Sequence, residues 1–178
     1  MKKLTATVIM LLLTMLFSSC GSASYYRNAA AVFDSPYSAC VRIADGGEIY
    51  EAELIRDESG ALTLQFLEPS LLCGITYGFD GGQYSLTYGG MSLALGDGAK
   101  DKVSGGVYVW YDMLAPDAKA VTGRKFKDGD KTYTVLSDGQ TEYTLDSKTG
   151  APVLITRGDT AISFTEFENN AELPEGTG

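Results

Sequence analysis

Six short clusters of turn-forming residues punctuate the chain: Asp45-Gly46-Gly47, Glu58-Ser59-Gly60, Asp80-Gly81-Gly82, Asp128-Gly129-Asp130, Asp138-Gly139-Gln140 and Ser147-Lys148-Thr149-Gly150. Gly and Asp accept the backbone angles that two- and three-residue hairpin loops demand. Between the clusters lie short runs in which apolar and polar residues alternate. Such punctuation leaves room for little except an antiparallel meander. Strands are expected at 37–44, 48–56, 61–68, 72–79, 83–88, 91–95, 119–127, 131–137, 141–146, 152–157 and 161–167.

Each run has one apolar face. Tyr50, Ala52 and Leu54 oppose Glu51 and Glu53, Leu62, Leu64 and Phe66 oppose Thr63 and Gln65, and Tyr84, Leu86 and Tyr88 alternate with Ser85 and Thr87. One side of the sheet is therefore wet and the other covered. A sheet of so many strands twists and curls, and two segments could cover its hollow side. Tyr25, Ala29, Val32 and Phe33 recur at helical spacing across 23–34, ahead of Ser35-Pro36. Val107, Trp110, Tyr111 and Leu114 recur at i, i+3, i+4 and i+7 across 106–115, ahead of Pro116. The β-branched Val107 and Val109 leave a strand open there. So little helix over so much sheet is where a cavity would come from.

The first nineteen residues have another character. Lys2 and Lys3 precede an apolar run, Val8 to Phe17, that is too short to cross a bilayer as a helix. It ends in Phe17-Ser18-Ser19-Cys20, which resembles the lipobox of bacterial lipoproteins, with Phe17 where that motif usually has Leu. The resemblance implies that residues 1–19 are a signal peptide and that Cys20 carries the lipid. The protein is then exported to the bacterial cell envelope and held on a membrane by acyl chains. A plain signal peptide with an incidental cysteine is the alternative. Residues 20–24 would be a lipidated tether whose four residues beyond Cys20 reach about 14 Å at full extension. The domain, 25–168, would lie close to the bilayer. Residues 169–178, acidic with Gly and Pro, are expected to be disordered.

Two of the 14 basic side chains belong to the leader, leaving 12 against 23 acidic ones. That balance excludes nucleic acid as a partner and repels anionic headgroups, so membrane contact falls to the anchor. Cys40 and Cys73 are expected to be free thiols. Alternation puts Tyr37, Ala39, Val41 and Ile43 on one face and Cys40 on the other, whereas Cys73 shares the face of Ile75, Tyr77 and Phe79. Opposite faces cannot meet the geometry of a disulfide without a bulge. Cys73 then reads as a small buried apolar residue.

Catalytic chemistry finds little footing. The chain has no histidine, which removes Ser-His and Cys-His nucleophile systems and most zinc sites. Asp128 and Asp130 lack the spacing of a calcium loop and read as a hairpin turn. Glu51 and Glu53 could form a carboxylate pair, but a charged solvent face explains them better. No lysine follows the glycines in a phosphate-loop pattern. No enzyme activity, metal or cofactor is expected.

Helix, strands, helix, strands, with the strand-to-proline step Leu62-Thr63-Leu64-Gln65-Phe66-Leu67-Glu68-Pro69, resembles the outer-membrane lipoprotein carrier superfamily across residues 25–167. Mycobacterial glycolipid-binding lipoproteins and sigma-factor regulators share that half-barrel. The soluble carriers have an arginine soon after the proline, where this chain has Ser70-Leu71-Leu72, so relay of lipoproteins between membranes is not carried over. The resemblance implies a mainly β (α+β) fold: a curled, unclosed antiparallel half-barrel of about eleven strands. An N-terminal helix and a mid-chain helix would lie over its concave face.

The candidate cavity residues are Tyr50, Leu54, Leu62, Leu64, Phe66, Tyr77, Phe79, Trp110 and Leu114, which are otherwise simply core. Three functions compete. One is binding of a hydrophobic ligand (an acyl chain, lipid or lipoprotein chain) beside the membrane. The second is a protein-binding or sensory envelope module with no small ligand. The third, well behind, is a carboxylate hydrolase.

Overall fold

The computed structural model describes residues 33–81, 83–95, 105–114 and 122–169. Six strands come first: β1 (Tyr37–Asp45), β2 (Glu48–Arg56), β3 (Leu62–Glu68), β4 (Thr76–Asp80), β5 (Gln83–Tyr88) and β6 (Met91–Leu95). Helix α1 (Gly105–Leu114) follows. Five more strands complete the chain: β7 (Thr122–Asp128), β8 (Lys131–Ser137), β9 (Glu142–Asp146), β10 (Pro152–Arg157) and β11 (Thr160–Asn169).

All eleven belong to one sheet in the order β6-β5-β4-β3-β2-β1-β11-β10-β9-β8-β7. Every pairing is antiparallel, and all but one join strands adjacent in sequence. The exception is β1 with β11, which seams two meanders together from Tyr37 opposite Asn169 to Ala44 opposite Ala161. The strands β6 and β7 are left as edges, so the half-barrel is unclosed, and α1 is the segment that passes from one edge to the other. The antiparallel meander expected from the turns, and the unclosed half-barrel that the resemblance implied, are the fold observed. The helix expected at 23–34 lies outside the described residues apart from Phe33 and Asp34, which are helical. The leader, Cys20, the tether and residues 170–178 also lie outside them.

The turn chemistry is visible in the hairpins. Asp57 Oδ1 accepts the amides of Ser59 (2.8 Å) and Ala61 (3.0 Å), and Asp146 Oδ1 those of Lys148 (2.8 Å) and Thr149 (3.0 Å). Asp138 Oδ1 accepts those of Gln140 and Thr141 at 2.8 and 2.7 Å. Each carboxylate satisfies donors the turn would otherwise expose. Asp128 and Asp130 flank Gly129, whose φ is 57°, in the β7–β8 turn.

One strand starts later than alternation suggests. Residues 70–74 are turn, and β4 begins at Thr76, not near 72. The amides of Leu72, Cys73 and Ile75 donate to the carbonyls of Pro69 (2.8 Å), Ser70 (3.3 Å) and Leu72 (2.9 Å). Gly74 closes the turn at φ 84°, which a residue with a side chain adopts only under strain. Cys73 is consequently exposed, not buried on the face of Tyr77. Cys40 lies in mid-strand on the outer face, and both thiols are free.

The core follows the sheet's register. Tyr50, Ile43, Ile162, Ile155, Tyr143 and Leu136 form one row across six strands, and all but half-buried Tyr50 are buried. Where Cys40 pairs with Glu166 but Val41 with Phe164, Thr165 is an extra residue. This bulge turns both Phe164 and Phe167 toward the core, their rings 6.2 Å apart.

Candidate ligand-binding face

Helix α1 is buried almost all round. Val107, Tyr108, Trp110, Met113 and Leu114 are buried, Val109 and Tyr111 half-buried, and Asp112 exposed. A helix apolar on every side belongs inside a protein, not on its surface. It is sunk into the concave face.

The β2–β5 half of the sheet receives it through aromatic contacts. The Trp110 ring lies 5.2 Å from Tyr50 and 6.2 Å from Phe66, and Phe66 lies 6.0 Å from Tyr77. Tyr111 stacks on Phe79 at 4.6 Å, and Tyr108 meets Tyr84 edge-on at 4.6 Å. Such pairs add roughly 0.5–1.5 kcal/mol each beyond the area they bury. The indole Nε1 of Trp110 donates to Asp45 Oδ2 at 2.9 Å, and Thr160 Oγ1 donates to Asp45 Oδ1 at 2.8 Å. Asp45 therefore fastens the helix to the start of the β1–β2 turn and to β11. No sequence pattern pointed to it.

The nine sequence-derived residues come together. Leu54, Leu62, Leu64, Phe66, Phe79, Trp110 and Leu114 are buried in one cluster, with Tyr50 and Tyr77 half-buried against it. The apolar face also continues beyond the helix. Along one register row, Leu64 is buried, Tyr77 and Leu86 are half-buried, and Leu93 on the edge strand is 60% exposed. Tyr88 and Met91, paired in the next row of that face, are 54% and 73% exposed. A separate cleft of about 580 Å³ on the same half of the sheet is lined mainly by the row that alternates with this face, Thr63, Gly78, Ser85 and Ala94, with Ala61, Asp80 and Gln83, and so belongs to the outer side.

The outer face is acidic. Glu53 and Glu166 flank Cys40 from the neighbouring strands, and the Cys40 thiol points to Glu166 Oε2 at 3.6 Å. Desolvation, then the Glu166 and Glu53 carboxylates, hold that thiol above its ordinary pKa. Glu51 and Glu53 lie on this solvated side, as the alternation required. Among the described residues no group of three His, Cys, Asp or Glu side chains is placed to hold a metal, and no helix is long and apolar enough to cross a membrane.

No family model and no curated protein matches the chain. Solved structures do. An uncharacterized conserved protein from Thermus thermophilus is similar over 84% of this chain and 88% of its own, with 11% identity and a TM-score of 0.55. MucB is similar over 86% of this chain with 15% identity and a TM-score of 0.52. The fold is shared. This chain matches 60% of MucB, so MucB has a substantial part with no counterpart here. A LolA superfamily protein from Nitrosomonas europaea also matches, over 85% of this chain and 94% of its own, at 10% identity and a TM-score of 0.41.

Proposed function

We propose that the protein is a bacterial envelope lipoprotein, anchored through Cys20, that takes a hydrophobic ligand such as an acyl chain, a lipid or a lipoprotein chain on its concave face. The observation that carries this reading is the course of the apolar face. It runs from under α1, through Tyr77 and Leu86, out to exposed Tyr88, Met91 and Leu93 at the open edge. Contiguous exposed apolar surface on a folded domain marks a contact site. The ligand would enter from the β5–β6 margin and wedge α1 away from the sheet it touches, coming to lie against Leu62, Leu64, Phe66, Phe79, Trp110 and Leu114. Each methylene removed from water there contributes roughly 0.8 kcal/mol. The lipobox-like Phe17-Ser18-Ser19-Cys20 supports the envelope address.

The test uses the only tryptophan. Titrating delipidated protein with oleate should give a saturable change in Trp110 emission, and native mass spectrometry should find one bound ligand. Leu86→Glu, at the half-buried margin, should abolish the response while the sheet's circular dichroism persists. A flat titration with nothing bound would leave the second reading, a protein-binding module. That reading is favoured by MucB, whose fold the chain shares and which forms a complex with MucA. For the anchor, Cys20→Ser should shift the protein out of the detergent phase.

A further inference from the structure

The sheet has two open edges, β6 and β7, and they are finished differently. Strand β7 carries Arg124, Lys125, Lys127 and Asp128, and charges of this kind discourage a further strand from pairing there. Strand β6 has none. From Gln83 to Leu95 no side chain is charged, in a chain where 21% of residues are. Met91, Ser92, Leu93 and Ala94 are all exposed, and among the described residues no strand pairs with the outer side of β6. The hairpin fixes which backbone groups that side presents. Tyr88 and Met91 flank the two-residue turn at Gly89 and Gly90, whose φ values are 56° and 80°. The pair next to such a turn exchanges both hydrogen bonds, and bonded pairs alternate from there. Met91, Leu93 and Leu95 therefore bond inward to β5, while Ser92 and Ala94 direct their N–H and C=O groups outward.

We propose that β6 pairs with β6 of a second copy of this chain, antiparallel about a two-fold axis at Leu93, joining two eleven-stranded sheets into one. In this register Ser92 meets Ala94 of the second copy, and each such pair exchanges both hydrogen bonds. Leu93 meets Leu93, and Met91 meets Leu95. Apolar side chains then face one another on the concave side and small ones on the outer side. Charge favours a second copy here. Two chains of formal charge −9 repel over most of their surface, and an uncharged hairpin lets their backbones approach without setting like charges face to face. With β7 guarded by its charges, pairing closes at two copies and does not run on into a fibre. It requires no ligand.

The full-length protein, in detergent and without added lipid, should pass from monomer to dimer when sedimented across about 1–100 μM. Ser92→Pro removes only an outward N–H, so it should keep the parent's circular dichroism and remain monomeric. Leu93→Lys, which sets two ammonium groups opposite each other at the axis, should also remain monomeric. In a Cys73→Ser background, Leu93→Cys should form an intermolecular disulfide under mild oxidation, because opposed residues of a non-bonded pair lie about 4.5 Å apart between Cα atoms. Ser92→Cys, which stands opposite Ala94, should link about tenfold more slowly or not at all. A chain that stays monomeric across the range overturns the proposal and leaves the edge to an extended peptide of another protein. A dimer that survives both Ser92→Pro and Leu93→Lys overturns it too, as does one in which Ser92→Cys links as readily as Leu93→Cys.

Discussion

Trp110 and Asp45 lie 65 residues apart in sequence and are joined by one hydrogen bond of 2.9 Å from the indole to the carboxylate. Gly106 is part of the same joint. A Cβ there would stand 3.0 Å from Asp45 Oδ2, closer than neighbouring atoms comfortably allow, and in ordinary contact with the indole ring at 3.5 Å. The helix is thus held at a fixed height in the hollow by a side chain from the β1–β2 turn.

Asp45→Ala should therefore loosen α1. The buried indole donor and the Thr160 hydroxyl both lose their acceptor, and leaving a buried donor unpaired costs about 1–3 kcal/mol. Urea unfolding should show a lowered midpoint. The emission of Trp110 should move to the red as water reaches the indole. An unchanged spectrum would mean that the bond does not hold the helix.

Tyr37 predicts an alkaline limit. It is fully buried, and its hydroxyl has no hydrogen-bond partner. Burial raises its pKa well above the ordinary tyrosine range, opposed in lesser degree by Arg56. An acid whose folded pKa is raised keeps its proton in the folded state longer than in the unfolded one. Stability is then intact below the unfolded value of about 10 and falls as pH rises beyond it. Tyr37→Phe should flatten that limb. At neutral pH it should be neutral or stabilising by about 1 kcal/mol, because an unpaired buried hydroxyl is removed. Thermal melts across alkaline pH decide it.

The acid side has the opposite sign. Asp57 is held below its ordinary pKa by the Ser59 hydroxyl and by turn amides, and Asp146 by the amides of Thr149 and Lys148. Groups with depressed folded values contribute stability above their unfolded pKa and lose it as pH falls through the folded one. Asp57→Asn/Asp146→Asn should be less stable than the parent at neutral pH and converge with it in acid. A gap that persists at low pH would assign the loss to something other than these charges.

The two thiols should differ sharply in reactivity. Cys73 is exposed in the 70–74 turn, whereas Cys40 is held protonated between Glu166 and Glu53. Since the thiolate is the nucleophile, iodoacetamide at neutral pH should label Cys73 first and Cys40 slowly. Non-reducing peptide mapping should recover no Cys40–Cys73 peptide.

Cys73 also marks where sequence became illegible. Alternation through Cys73, Ile75, Tyr77 and Phe79 looks like one strand, but local hydrogen bonds from Pro69 onward and the positive φ of Gly74 outcompete it. Hairpins announced by Asp and Gly were readable because their determinants are local; β5, β6, β8 and β10 begin and end where the turns place them. The bulge on β11 left a trace too, since apolar spacing changes from two to three between Phe164 and Phe167. The candidate residues on the strands were legible as a face, because period two sorts them, and Trp110 and Leu114 as one stripe of a helix, because their spacing is i and i+4. One feature was not. Asp45 reads as a turn residue, and only the tertiary fold brings Trp110 to it.

The β1–β11 seam has a mechanical consequence. Tyr37 and Asn169 pair at one end of it, so both ends of the domain leave from the same end of the same two strands. Tension applied between them acts across the ladder and loads its rungs singly, beginning with this pair, as a zipper opens. Were the ends at opposite extremities, the rungs would share the load in shear. The domain should therefore yield at low force, parting first into its two meanders.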